Sequence, residues 1–260
     1  MTQAEPTGPD TLGYRARIGL LVPASNTIAQ PEFELLAPLG VTNQVARMRP
    51  TPPGKVGGNL ESYRDGIDTQ VPVIAEAISM ALHTNPSAVI LAHSMDTFRG
   101  ALDGARLLQE RLDGCAPGVR VVLPSLAYLV ALKALGLGPG ARLAAITPYW
   151  PPEDAHVDGF FTSAGYKVTR VLGLKRQGAY AIAATTAAEL IAGLRTLAED
   201  KPDVIVQPGT NLASVKVAAQ ASDWLGIPVI ACNTACYWHA LRTSGIFDKA
   251  DGFGALFSEH

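Results

Sequence analysis

Five short segments carry residue types that could bind an anion or move a proton, and each follows an apolar run. They are Ser25-Asn26-Thr27, His93-Ser94-Met95-Asp96-Thr97, Pro148-Tyr149-Trp150, Gly209-Thr210-Asn211 and Cys232-Asn233-Thr234. Hydroxyl groups, amides and the backbone N–H groups of helix N-termini all favour bound anions. This combination predicts a site for a small carboxylate.

The second of these segments contains the residue best suited to proton transfer. Histidine gives or takes a proton near neutral pH, so His93 is the candidate acid/base. Asp96 could orient the His93 ring, or Ser94 and Asp96 could simply cap the following helix. The alternative for His93 is a structural histidine, hydrogen-bonded at the rim of a sheet. We favour the catalytic interpretation because the segment lies where a strand passes into a helix.

The other segments offer groups that could hold a substrate. Asn26, with Ser25 beside it, could donate to a carboxylate or could cap a helix. The hydroxyl of Tyr149 could donate to an oxyanion, although tyrosine often serves only in packing. Small and polar residues suited to anion binding by backbone N–H groups follow at Gly209, Thr210 and Asn211. Glycine could instead be present only for a tight turn.

The chain has three cysteines, Cys115, Cys232 and Cys236. An odd number without metal-ligand spacing argues against a disulfide framework and fits a reducing compartment. A helix N-terminus favours the thiolate form of cysteine, so Cys232 is a second candidate catalytic residue, ranked below His93. Cys236 is expected to be a small buried apolar residue.

Short apolar runs alternate with helical patterns along the whole chain. The predicted strands are Arg17–Val22, Val45–Arg49, Ala88–Leu91, Val119–Leu123, Arg142–Thr147, Lys167–Leu172, Val204–Gln207 and Val229–Ala231. The predicted helices include Thr69–His83, Gly100–Leu112, Leu126–Leu135, Ala181–Leu197, Ala213–Leu225 and Thr234–Thr243. This alternation predicts an α/β fold with parallel sheets covered by helices on both faces.

The order of strands and polar turns in the first half resembles that in the second. We therefore predict two pseudo-symmetric Rossmann-like lobes, one over residues 15–138 and one over 139–260, after a disordered lead at 1–14. Ligands of open α/β sheets bind beyond the carboxyl ends of the strands. The active site is expected between the lobes. The Pro/Gly-rich segment Arg49–Asn59 predicts a loop, either a connector or a lid over the site.

Composition excludes several classes of partner. With 21 basic and 23 acidic residues the chain has no basic field for nucleic acid. No apolar run is long enough to cross a membrane, and the N-terminus lacks the features of a signal peptide, so we expect a cytoplasmic protein. Glycine-rich dinucleotide, Walker, HExxH and GxSxG motifs are missing from the sequence, and we expect neither a cofactor nor a metal.

Three segments together resemble the maleate isomerase and arylmalonate decarboxylase family of the aspartate/glutamate racemase superfamily. They are IGLLVPASNTIAQPEF, AITPY and PVIACNTACYWHALR, and the resemblance extends from Arg17 to the end of the last predicted helix. It implies two Rossmann-like lobes, a site without cofactor or metal, and a small carboxylic acid substrate. It also implies that Asn26 and Tyr149 hold the substrate carboxylate.

The sequence departs from this family at its catalytic positions. The resemblance implies one or two cysteines at the turns after corresponding strands, but here those turns read Ala92-His93-Ser94 and Pro208-Gly209-Thr210. In that family, isomerisation of maleate needs a thiolate that adds to the double bond, whereas decarboxylation needs one proton donor beside an oxyanion hole. We expect an enzyme of this type with His93 as acid/base. The alternatives are a hydrolase of a small amide, imide or lactone, and a non-catalytic carboxylate-binding protein. A homo-oligomer is expected.

Overall fold

The computed structural model describes residues 10–50 and 60–260. Most of the segment that we interpreted as a connector or a lid, residues 51–59, lies outside this range. Within the described residues, no helix combines the length and the apolar character needed to span a bilayer. In the same ranges, no group of three or more His, Cys, Asp or Glu side chains is arranged to hold a metal ion.

Two four-stranded parallel sheets form the framework of the protein. The first sheet, in the order β2-β1-β3-β4, contains β1 (Ala16–Pro23), β2 (Val41–Met48), β3 (Ala88–Leu91) and β4 (Arg120–Val122). The second, in the order β6-β5-β7-β8, contains β5 (Arg142–Thr147), β6 (Lys167–Gly173), β7 (Val204–Gln207) and β8 (Val229–Ala231). The equivalent strand orders confirm the predicted α/β fold with two pseudo-symmetric lobes.

Helices cover the sheets and connect their strands. They are α1 (Ala29–Leu36), α2 (Leu60–Leu82), α3 (Ala101–Cys115), α4 (Pro124–Ala134), α5 (Pro151–Ser163), α6 (Gly178–Ala183), α7 (Ala187–Ala198), α8 (Val215–Leu225), α9 (Cys232–Thr243) and α10 (Ala255–Ser258). A 3₁₀ turn at Met95–Phe98 follows β3. Strands β3 and β7 are buried at every position, as expected for strands covered on both faces.

Some predicted boundaries were wrong for identifiable reasons. The helix predicted over Ala181–Leu197 is divided into α6 and α7, because Thr186 and Glu189 form a capping box that starts a new helix. Strand β2 begins at Val41, four positions before the predicted Val45. Its first half is polar, so its extended backbone is set by pairing with β1 and not by an apolar pattern.

Helix α9 joins the two lobes into one core. It contacts β8 of its own sheet and also β3, β4, α1 and α4 of the first lobe. Nearly all of its residues are buried, and one apolar cluster includes side chains from both sheets. Burial on this scale is the main source of stability, at about 25 cal/mol per Å² of apolar surface. The lobes are therefore held in a fixed relation.

His239 on α9 gives this packing a dependence on pH. Burial, with a smaller contribution from nearby Arg120, lowers the pKa of His239 from 6.5 to about 4. Its Nδ1 is buried and has no hydrogen-bond partner among the described residues. Between pH 6.5 and pH 4, His239 takes up a proton in the unfolded chain but not in the folded protein. The free energy of unfolding should therefore fall as the pH decreases from 6.5 to 4.

Replacing His239 by leucine should flatten this dependence. Between pH 7 and pH 4, the free energy of unfolding of the wild-type protein should decrease by about 1–3 kcal/mol more than that of His239→Leu. Urea denaturation at several pH values measures the difference. Above pH 7 the two curves should run parallel, which serves as the internal control. Equal slopes between pH 6.5 and 4 would contradict this role of His239.

Candidate functional site

A cavity of about 340 Å³ lies where the carboxyl ends of the two sheets face each other. Eight of the ten residues predicted for the site line it: Ser25, Asn26, His93, Ser94, Tyr149, Gly209, Thr210 and Asn211. Parallel strands bring these segments together because the chain leaves every strand of a sheet at the same edge. The other two predicted residues, Asp96 and Cys232, lie behind the wall.

Three hydroxyl and N–H groups from both lobes converge at one point of the wall. The Oγ of Ser94 lies 2.7 Å from the hydroxyl oxygen of Tyr149 and accepts a hydrogen bond of 3.3 Å from the backbone N–H of Thr210. Burial raises the pKa of Tyr149 far above its ordinary value, so the phenol keeps its proton. A neutral Tyr149 is a donor for an oxyanion, as an oxyanion hole requires.

The turn that carries Tyr149 is held by a chain of hydrogen bonds through Thr147 and Asp154. The backbone N–H of Tyr149 donates to Thr147 Oγ1 over 3.1 Å, and that hydroxyl donates to the carboxylate of Asp154. Burial raises the pKa of Asp154, although the bond from Thr147 opposes this effect. These contacts fix the backbone at Tyr149, and neither Thr147 nor Asp154 is among the described residues that line the cavity.

Thr210 and Asn26 connect the two lobes under the cavity. The Thr210 hydroxyl donates to the backbone oxygen of Ala92 over 2.8 Å and accepts from Asn26 Nδ2 over 3.2 Å. Asn26 Oδ1 accepts from the backbone N–H groups of Ile28 and Ala29 at the start of α1. Asn26 therefore fixes the backbone just before α1, although the N-cap residue is Ile28, and its role in binding substrate stays a prediction.

Both polar atoms of the Asn211 side chain form hydrogen bonds within the protein. Its Oδ1 accepts from the backbone N–H of Thr27 over 3.0 Å, and its Nδ2 donates to the backbone oxygen of Ala179 over 2.8 Å. The preceding Gly209 has φ of +137°, a conformation that favours glycine. A Cβ there would lie 2.9 Å from Pro148 Cδ, so this glycine serves both the backbone conformation and close packing.

His93 faces the cavity with a carboxylate behind it. Its Nδ1 lies 3.4 Å from Asp96 Oδ2, and its side chain is 31% exposed, while that of Asp96 is 7% exposed. Arg99 Nε donates to the other Asp96 oxygen over 3.0 Å. Beyond it, Arg99 Nη1 lies 3.2 Å from His156 Nε2. The buried Asp96 carboxylate is thus paired with Arg99 and oriented toward the His93 ring.

Cys232, at the start of α9, is fully buried. It is not among the described residues that line the cavity. Its backbone N–H donates to Gln207 Oε1 over 3.4 Å. Cys236 lies one turn further along α9, and burial together with the neighbouring Cys232 thiol raises the pKa of Cys236 well above its ordinary value. The role of Cys232 as a nucleophile stays a prediction, with no cavity contact to support it.

Sequence reasoning did not identify Glu32, Glu153 or Arg176. Glu153 and Arg176 line the cavity, whereas Glu32 acts from the first lobe on the second. One Glu32 oxygen accepts from the first two N–H groups near the start of α8, and the other accepts from Asn233 Nδ2. Burial raises the pKa of Glu32 against these bonds. No local motif could have shown these partners, because they lie about 180 or more residues away in the chain.

Comparisons with known proteins agree with this architecture. A family model described as arylmalonate decarboxylase matches residues 59–257. The chain is 28% identical to arylmalonate decarboxylase of Bordetella bronchiseptica over 174 residues, which are 65% of this chain and 70% of that protein. It is 23% identical to maleate isomerase of Geobacillus stearothermophilus over 257 residues, which are 93% and 97% of the two chains.

Solved structures show the same fold. One is a variant of the Nocardia farcinica maleate cis-trans isomerase with a covalently bound succinylcysteine intermediate. It superposes with a TM-score of 0.79 at 21% identity, and the match covers 94% of this chain and 99% of that chain. Unliganded arylmalonate decarboxylase gives 0.73 at 21% identity, with 94% and 100% covered.

Replacing Thr210 by valine should lower the free energy of unfolding, because it removes the hydroxyl but keeps the shape of the side chain. The valine side chain fits the same space but leaves the Ala92 oxygen and the Asn26 amide without that partner, at a cost of about 1–3 kcal/mol in unfolding free energy. Urea denaturation measures this loss. The control is Thr196→Val on the exposed side of α7, where a change within about 0.5 kcal/mol is expected. Equal effects of the two substitutions would contradict the proposed connection.

Proposed function

The chain belongs to the arylmalonate decarboxylase family, and we propose that it removes CO₂ from a small malonate-type acid with His93 as the proton donor. The observation that carries the proposal is the arrangement of one proton-transfer group and several oxyanion donors in a single cavity. His93, Ser94 and Tyr149 all line it, and Asp96 orients the histidine ring.

The retained carboxylate binds at the point where the lobes meet. The Tyr149 hydroxyl donates a hydrogen bond to a carboxylate oxygen, and Ser94 is positioned by the N–H of Thr210 to act beside it. These donors hold the carboxylate while it becomes an enediolate and gains negative charge. Fixed donors aimed at developing charge are commonly the largest catalytic contribution.

The departing carboxylate lies against the apolar part of the wall. Pro23, Met95 and Ile182 line the cavity and offer it no hydrogen bond from their side chains. Poor solvation of this carboxylate favours its loss as neutral CO₂. The carbon–carbon bond breaks, and its electron pair moves into the retained carboxylate to form the enediolate.

His93 completes the reaction at carbon. The protonated imidazole donates its Nε2 proton to the enediolate carbon, which forms the new C–H bond and restores the retained carboxylate. Asp96 holds the ring through Nδ1, and Arg99 keeps the Asp96 carboxylate in place. Water returns the proton to His93 before the next turnover. General acid catalysis of this kind contributes roughly 10²–10⁴-fold.

The cavity favours decarboxylation over cis–trans isomerisation. The Nocardia farcinica isomerase variant carries a succinylcysteine, which is a covalent adduct on a cysteine. Among the described residues that line the cavity of this chain there is no cysteine. Decarboxylation by proton donation needs no covalent adduct, so the groups at hand suffice for it.

Product analysis in deuterated water tests the reaction. The purified protein should convert a malonate from a panel of maleate, arylmalonates, cyclic imides and lactones, with one deuterium at the carbon that lost CO₂. Proton and carbon NMR measure the label. Conversion of maleate to fumarate, or ring opening with ¹⁸O from water in the product carboxylate, would contradict the proposal in favour of an isomerase or a hydrolase. No turnover, with ligand binding retained, would support a binding protein.

Substitution of the proton donor tests the mechanism. His93→Gln should lower kcat roughly 10²–10⁴-fold, with little change in the dissociation constant of a product acid, because it removes general acid catalysis and keeps a polar side chain. Asp96→Asn should lower kcat less, through poorer orientation of the ring. Steady-state kinetics with the substrate found above measure both effects.

His83→Gln is the matched control, since this exposed histidine follows α2 and does not line the cavity. It should retain wild-type kinetics. A fully active His93→Gln variant would exclude His93 as the proton donor.

A further inference from the structure

We propose that Arg176 binds an anionic group carried by the substrate at a distance from the reacting carbon. The proposal rests on the proposed function only in that the cavity holds a carboxylic acid. Arg176 lines this cavity from the segment after β6, in the second lobe. With Arg176 in this role, the substrates include acids whose substituent ends in a second acidic group, and not only simple malonates.

The backbone of Arg176 is fixed to the turn that carries Tyr149. Its N–H donates to the Pro148 oxygen over 2.9 Å, and its own oxygen accepts from Trp150 Nε1 over 3.3 Å. The preceding Lys175 donates its N–H to the Tyr149 oxygen over 3.0 Å. The backbones that carry the Tyr149 hydroxyl and the Arg176 side chain are therefore joined, which keeps the two side chains on the same side of the cavity.

The guanidinium of Arg176 has unused donor capacity. Nη2 donates to Glu189 Oε1 over 2.5 Å. The Arg176 side chain is 25% exposed and lines the cavity, so part of its guanidinium is open to a bound ligand. A guanidinium has five N–H donors in a planar fork that suits a carboxylate. An acidic substituent of the substrate accepts from the donors that face the cavity.

Glu189 positions this guanidinium and does not cancel its charge. It belongs to the capping box of α7, and the N–H of Thr186 together with Arg176 holds its pKa at about 2. Its side chain is 44% exposed, so solvent screens its charge. In the described part of the chain, Arg176 is the sole lysine or arginine that lines the cavity. Glu153 lines it too and should oppose a dianion.

Binding of matched acids tests the proposal without any turnover. Calorimetry measures the dissociation constants of succinate, glutarate and adipate, and of the monoacids that lack one carboxylate, namely propanoate, butanoate and pentanoate. The wild-type protein should bind one diacid at least tenfold more tightly than its monoacid. Arg176→Met should abolish that ratio and change monoacid affinity less than twofold, because a charge-assisted hydrogen bond is worth roughly a tenfold factor or more.

Two further variants complete the test. Glu153→Gln should raise the diacid ratio, since it removes the opposing charge from the cavity. Arg170→Met is the matched control, because Arg170 lies on β6, pairs with Asp200 and is not among the described residues that line the cavity. This variant should keep the wild-type ratio. A wild-type protein without preference for any diacid, or an Arg176→Met variant that keeps the preference, would overturn the proposal. An inactive His93→Gln variant that retains the ratio would leave this inference standing, whatever the reaction proves to be.

Discussion

The hydrogen bonds that cross between the carboxyl ends of the two sheets are the constraint on which the site depends. The Thr210 hydroxyl of the second lobe donates to the Ala92 oxygen after β3 of the first. The Tyr149 hydroxyl of the second lobe also lies within hydrogen-bond distance of Ser94 Oγ of the first. A buried backbone oxygen or hydroxyl without a partner costs about 1–3 kcal/mol, so these pairs resist separation of the lobes. Thr210, Tyr149 and Ser94 also line the cavity, so the contact that joins the lobes also shapes the candidate site.

Glu32 and helix α9 extend this principle beyond the cavity. The Glu32 carboxylate reaches from α1 to the N-terminus of α8, where the helix dipole favours negative charge. Burial disfavours the charged form and raises the pKa of Glu32, and the three hydrogen bonds offset part of that cost. Because α9 packs on strands of both sheets, the apolar core holds the lobes at the same separation as the polar bonds do. A preorganised site follows from two independent kinds of interaction.

The sequence pattern predicts local features well and long-range partners poorly. Strand β3, with its run Ala-Val-Ile-Leu, is apolar because both of its faces are covered, so its bounds and the position of His93 after it can be predicted. The convergence of Ser94, Tyr149 and Thr210 follows from the rule that ligands bind beyond the carboxyl ends of parallel strands. Arg176 follows β6 and obeys the same rule, whereas Glu32 has no such rule, because its partners are brought near only by the folded chain. The bonds from Asn26 Nδ2 to Thr210 and from the Thr27 N–H to Asn211 Oδ1 could not be predicted for the same reason.

Gly209 explains in physical terms why a thiol is not found at that turn. With φ of +137° and a Cβ that would approach Pro148 and Gln207 within 3.0 Å, a cysteine at this position would require the backbone to move. The backbone there also carries the N–H of Thr210 that donates to Ser94, so such a movement would displace Ser94 in the cavity wall. The geometry that positions Ser94 thus excludes a cysteine at the same turn. Under the proposed function, proton transfer falls to the turn after β3, where His93 lines the cavity and has a buried carboxylate beside it.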